Sequence, residues 1–77
     1  MRHDYRQAAR IFLVGFQKAP KGAKAPDTLL KLGMSLVGLK KKTEACATFD
    51  KLARDFPNAS NTIRRKLGSE RKRAACP

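Results

Sequence analysis

Few side chains in this sequence are equipped for chemistry, and those few stand far apart. Cys46, Cys76 and the lone histidine, His3, are its only thiol or imidazole ligands. Two distant cysteines with no histidine beside either fall short of the four-ligand set of a structural zinc site, so no metal is expected. His3 lies near a terminus and reads as a solvated side chain. No Ser, His and carboxylate set, glycine-rich phosphate loop or paired acids recurs in the pattern of an active site, so neither catalysis nor a cofactor is expected.

The cysteines admit two readings. In one, the third and fourth of four helices run antiparallel, the end of the fourth returns to the start of the third, and Cys46 bonds to Cys76. Closing a loop of that length contributes roughly 3 to 4 kcal/mol in the chain-entropy model, in an oxidising compartment. In the other, Cys46 is a buried small apolar residue and Cys76 a free thiol on a frayed tail.

Charge is the second chemical signal. Eighteen Lys and Arg stand against six Asp and Glu, giving a formal net charge of +12 and a pI near 10.6. Arg64, Arg65, Lys66, Arg71, Lys72 and Arg73 face only Glu70 within their segment, and residues 40–42 are three consecutive lysines. Such a chain attracts polyanions: nucleic acid, acidic lipid, anionic cell-wall polymer or an acidic protein. A helix over residues 64–73 could track phosphates, with salt-dependent binding. No aromatic residue is interleaved to stack bases, so nucleic acid is expected to bind only non-specifically. The plainer reading is a solvated surface and a charged cap.

The elements that position these residues are helices. A chain of 77 residues is one small domain, and a domain of about that size buries only about 60% of its unfolded surface, which leaves no room for a large catalytic cleft. With no Trp, one Tyr and four Phe, Leu, Ala, Val and Ile must build the core, and an all-α fold follows. Tyr5, Ala8, Ile11, Phe12 and Phe16 mark a helix over residues 4–18, capped by Asp4 and closed by Pro20. A loop leads to a helix over residues 26–38 that opens on Pro26 and Asp27 and carries Leu29, Leu32, Gly33 and Leu36 on one face. A third helix over residues 43–55, with Thr43 as cap, buries Ala45, Phe49, Leu52 and Ala53. A fourth over residues 61–74, capped by Ser60 or Asn61, carries Ile63, Leu67 and Ala74, is weakened at Gly68 and Ser69, and frays at its end. The apolar run in residues 11–16 is far shorter than the roughly 20 residues of a membrane helix and lacks a signal-peptide cleavage site, so no membrane span is expected and any export signal would lie outside the chain.

A shift of 37 positions superposes Ala8 on Ala45, Phe12 on Phe49 and Pro20 on Pro57. Small, aromatic and helix-stopping residues recur in register, as in stacked helix pairs, and the tetratricopeptide repeat is such a pair of about 34 residues. Residues 26–57 match its pattern through Leu32, Gly33, Ala45, Phe49 and Pro57. Leu29 and Leu36 stand where aromatic residues are usual, and Lys40 where the turn usually has Gly. The chain then reads as a leftover helix at 4–18, one full repeat at 26–57 and a basic capping helix at 61–74.

A narrower resemblance rests on Ala25-Pro26-Asp27-Thr28-Leu29-Leu30-Lys31-Leu32-Gly33-Met34-Ser35-Leu36 and on Glu44-Ala45-Cys46-Ala47-Thr48-Phe49. These segments resemble the C-terminal tetratricopeptide region of the Tol-Pal-associated cell division coordinator family, CpoB or YbgF. The resemblance implies a periplasmic parent protein, a non-catalytic role in protein–protein interaction, and partners such as TolA or the cell-wall synthesis machinery. It also implies that Asp27, Leu30, Met34 and Val37 face a concave partner-binding groove. Leu30, Met34 and Val37 are apolar at helical spacing and could take a helix or an extended peptide; alternatively the strip is core, covered by the first helix or a second copy of the chain. The first helix is apolar on nearly every side across residues 11–16, and self-association through Ile11, Phe12 and Phe16 into a homo-oligomer is expected to cover it. The competing function is a small basic helical protein that binds nucleic acid or another polyanion through residues 40–42 and 64–73.

Overall fold

The first helix begins where a side chain replaces a missing backbone partner. In the computed structural model, which describes residues 4–77, the Oδ1 of Asp4 accepts the Gln7 amide at 3.0 Å and α1 runs Tyr5–Lys18. Three further helices follow, α2 at Ala25–Gly38, α3 at Lys42–Asp55 and α4 at Asn61–Arg73, with no strand among the described residues. The fold is all-α, and its four helices lie within one or two residues of the expected bounds. His3 lies outside the described residues.

Helix α2 is the hub, lying against each of the other three. It therefore buries residues on several sides: Ala25, Leu29, Leu30, Leu32, Gly33 and Ser35. The one hydroxyl in that set, Ser35 Oγ, donates to the Lys31 carbonyl at 3.0 Å, so its burial leaves no unmet donor. Ala45, Phe49 and Leu52 of α3 meet α2 from one side, and the ring of Phe49 is fully enclosed. It fits because residue 33 has no side chain: a Cβ there would lie 2.8 Å from the Phe49 Cδ1. Phe12 and Phe16 of α1 pack against the same core and stay partly exposed. At the end of α1, Lys51 of α3 lies over the Phe16 ring, 5.8 Å from its centroid.

Two helix ends share one device. After α2, the Lys41 amide donates to the Leu36 carbonyl and the Lys40 amide to Val37, each at 2.9 Å, with Lys40 left-handed at φ 62°. After α4, the Cys76 amide donates to Arg71 at 2.9 Å and the Ala75 amide to Lys72 at 3.0 Å, with Ala75 at φ 56°. Both are Schellman motifs, which satisfy the last carbonyls of a helix and usually place glycine at the left-handed position.

These ends correct three expectations. Thr43 does not cap α3: the Schellman turn hands the chain directly to Lys41, whose carbonyl already accepts the Ala45 amide at 2.9 Å, so the helix starts one residue before Thr43. Gly68 and Ser69 do not interrupt α4. A mid-helix glycine costs about 1 kcal/mol relative to alanine, but Gly68 faces open space while Leu67, Glu70 and Ala74 hold the other face of the helix against the core. The end of α4 does not fray, because its turn is hydrogen-bonded and Ala74 is buried. At its start, Ser60 rather than Asn61 is the cap, Oγ accepting the Ile63 amide at 3.3 Å.

Candidate protein-binding cleft and basic face

Helices α1, α2 and α4 diverge around an open cleft of about 360 Å³. Its apolar side comes from Tyr5 and Phe12 of α1 and from Met34 and Val37 of α2. The backbones approach closely at one end, where Gly38 receives the Tyr5 ring; a Cβ at residue 38 would stand 2.6 Å from Tyr5 Cδ2. The polar rim is Asp4, Lys31, Glu70 and Arg73. An apolar floor with a few converging polar groups is the common form of a ligand site.

Of the four residues expected along a groove, the structure brings Met34 and Val37 into this cleft and leaves the other two out of it. Leu30 is only 2% exposed and belongs to the core against which Phe12 and Phe16 pack. Three apolar residues at helical spacing do not share one fate, because α1 lies along part of the strip. Asp27 is half-exposed in the first turn of α2 and pairs with Lys31 at 3.1 Å, outside the cleft lining. Tyr5 and Glu70, which sequence reasoning did not single out, complete the cleft. The proximity of α4 to α1 arises from tertiary structure, so no local pattern announces Glu70.

The expected self-association face divides in two. Phe12 and Phe16 point to the core, whereas Ile11 is 58% exposed together with Leu13 and Val14. Helical rotation accounts for this: Tyr5, Ala8, Ala9, Phe12 and Phe16 fall on one stripe, and Gln7, Ile11, Val14 and Lys18 on another. The exposed apolar surface is therefore Ile11, Leu13 and Val14, and Gly15 beside them meets nothing within 4 Å of where a Cβ would stand.

The Cys46 and Cys76 sulfurs are joined at 2.07 Å, with Cα atoms 5.6 Å apart. The link ties the end of α4 to the start of α3. It also sets Lys42, in the first turn of α3, at the same end as the last turn of α4, whereas Arg64 lies at the opposite end of that helix beside Phe56 and Pro57. Within that segment Arg71 donates to Asp50 Oδ1 at 2.6 Å, a second tie between α3 and α4, and Arg73 lies 4.0 Å from Glu70. Arg64, Arg65, Lys66 and Lys72 are exposed and form no ion pair among the described residues. Elsewhere on α3, the hydrogen bond from Lys51 holds the Asp55 carboxyl below its usual value, helped by the charges of Lys51 and Arg54.

A protein-family model described as tetratricopeptide repeat matches residues 27–59. No curated protein and no solved structure matches the chain. The matched span covers α2, the turn at Lys40 and α3, so this hairpin is a tetratricopeptide-like region and the chain is an all-α fold of that type. Repeats of this family generally mediate protein–protein interaction and are not catalytic. Among the described residues no helix is long and apolar enough to cross a membrane.

Proposed function

We propose that this chain is a non-catalytic interaction module that docks a segment of a partner protein in the cleft between α1, α2 and α4. The observation that carries the reading is the apolar floor of Tyr5, Phe12, Met34 and Val37, left open beside a tetratricopeptide-like hairpin. Met34 is suited to such a floor because its unbranched thioether adapts to the shape laid on it. Within this reading the chain is organised as a leftover helix, one full repeat and a basic cap. It serves in a periplasmic protein of the Tol-Pal-associated division coordinator type, with TolA or the cell-wall synthesis machinery as partner. Support for the periplasmic setting comes from the Cys46–Cys76 bond, since disulfides persist in oxidising compartments, and from the resemblance of residues 25–36 and 44–49 to that family.

The test is a binding titration of the chain against the periplasmic part of TolA. Met34→Glu and Val37→Glu, each placing a charge on the cleft floor, are expected to weaken binding at least about tenfold, the loss of ~1.4 kcal/mol. Unchanged affinity in both variants sinks the cleft as the docking site, and no binding by the parent chain sinks the partner assignment.

A second reading is favoured by one observation. Arg64, Arg65, Lys66 and Lys72 are exposed on α4 and form no ion pair among the described residues, and the disulfide sets Lys42 near the end of α4 that carries Lys72. Binding of a polyanion at this face predicts a log–log salt slope that falls by close to one for each basic residue removed. A loss of binding between low and physiological salt with no sequence preference marks it as bulk electrostatics.

A further inference from the structure

Glu70 stands apart from the other acidic residues. Asp4 caps α1, Asp27 pairs with Lys31, Asp50 with Arg71 and Asp55 with Lys51; these four and Glu44 are exposed or half-exposed. Glu70 is 8% exposed, and no donor among the described residues gives it a hydrogen bond. Among the described residues its nearest cation is Arg73 Nη1 at 4.0 Å, beyond hydrogen-bonding distance and carried on a side chain 71% exposed. The residue lines the cleft beside Met34 and Val37. A carboxylate largely withdrawn from water gains most from a donor delivered to it.

We propose that the cleft selects a partner segment in which a Lys or Arg sits among apolar side chains, its cation accepted by the Glu70 carboxylate in place of Arg73. The proposal rests on the cleft-docking reading above and names the chemistry of the segment that docks. It runs against the expectation from net charge alone. A chain at +12 draws acidic ligands from a distance, but at physiological ionic strength that field is screened beyond about 8 Å. A partly enclosed carboxylate in contact with the ligand is screened far less. Position is held from outside the cleft, because the Arg71–Asp50 pair and the Cys46–Cys76 bond tie the last turn of α4, just after residue 70, to α3.

A random peptide library panned on the oxidised chain at about 0.15 M salt tests this. Enriched peptides are expected to carry a Lys or Arg flanked by apolar residues and to lose binding to the Met34→Glu chain. For one such peptide made synthetically, Glu70→Gln is expected to weaken binding about tenfold. Arg73→Ala, which removes the internal competitor, is expected to strengthen it. The same peptide with norleucine in place of its basic residue is expected to bind parent and Glu70→Gln equally, a result that a merely structural role for Glu70 does not give. Peptides that need Met34 but are acidic or lack a basic residue overturn the proposal alone. Equal weakening of the norleucine peptide by Glu70→Gln does the same. Peptides indifferent to Met34→Glu, or no enriched peptides at all, overturn the cleft-docking reading and this proposal with it.

Discussion

Two glycines and two left-handed residues show how single positions govern this small fold. Gly33 is the floor under Phe49, whereas Gly68 meets nothing within 4 Å. Gly33→Ala must displace a fully buried ring and is expected to lose about 1 to 3 kcal/mol by overpacking. Gly68→Ala only improves helix propensity and is expected to gain up to about 1 kcal/mol. Urea unfolding of the two variants should shift the midpoint in opposite directions; a shift of the same sign contradicts the packing account. Lys40 and Ala75 hold the positive φ of their Schellman turns without the freedom of glycine. Lys40→Gly and Ala75→Gly remove a left-handed penalty of about 1 to 2 kcal/mol against a smaller entropy loss, so each is expected to stabilise by about 0.5 to 1 kcal/mol in the same unfolding assay.

Among the elements, α4 makes the least contact with the other helices, and the disulfide matters most there. Its buried face is Leu67, Glu70 and Ala74 with Ile63 at the edge, and the rest of the helix is charged and exposed. Cys46 and Cys76 are separated by 30 residues, so their bond constrains the unfolded chain over a loop that spans most of α3 and all of α4. Cys46→Ser is expected to cost about 3 to 4 kcal/mol by loop entropy, a large share of a small domain's stability. Amide hydrogen exchange should localise the effect: faster exchange across α4 than across α2 is the expected outcome, and uniform acceleration would mean the bond supports the whole core instead. The cleft shares that dependence, since α4 carries Glu70.

At the scale of the whole molecule, the repeat relation explains which surface is left over. A shift of 37 positions maps α1 onto α3, and Phe12 onto Phe49. Phe49 is sealed by α2, whereas Phe12 is only partly covered and Ile11 stands 58% exposed beside it. The exposed Ile11 and Val14 on one stripe of α1, with Leu13 exposed on another side, favour self-association. Sedimentation across a wide concentration range is expected to show a rising mass, and Ile11→Glu with Val14→Glu to return the chain to monomer; a parent mass independent of concentration removes the idea. That strip is distinct from the cleft, so the double variant is expected to retain partner binding.

The sequence by itself determined the four helices, because apolar spacing, Asp4, Pro26 and Pro57 are local signals that act within one or two turns of chain. It also determined the tetratricopeptide-like hairpin, since the small, aromatic and helix-stopping residues recur in register. Thr43, Gly68 and the end of α4 were misread because local propensity there gives way to a Schellman turn and to contacts made from the opposite face of the helix. Tertiary structure alone decided which apolar residues are core and which are surface. Leu30 and Met34 are four residues apart on α2, yet the packing of α1 encloses the first and leaves the second on the cleft. Only the return of α4 brings Glu70 to the cleft that Tyr5 lines, because a cleft lies between elements distant in the chain and no periodicity within one helix encodes the angle at which another crosses it.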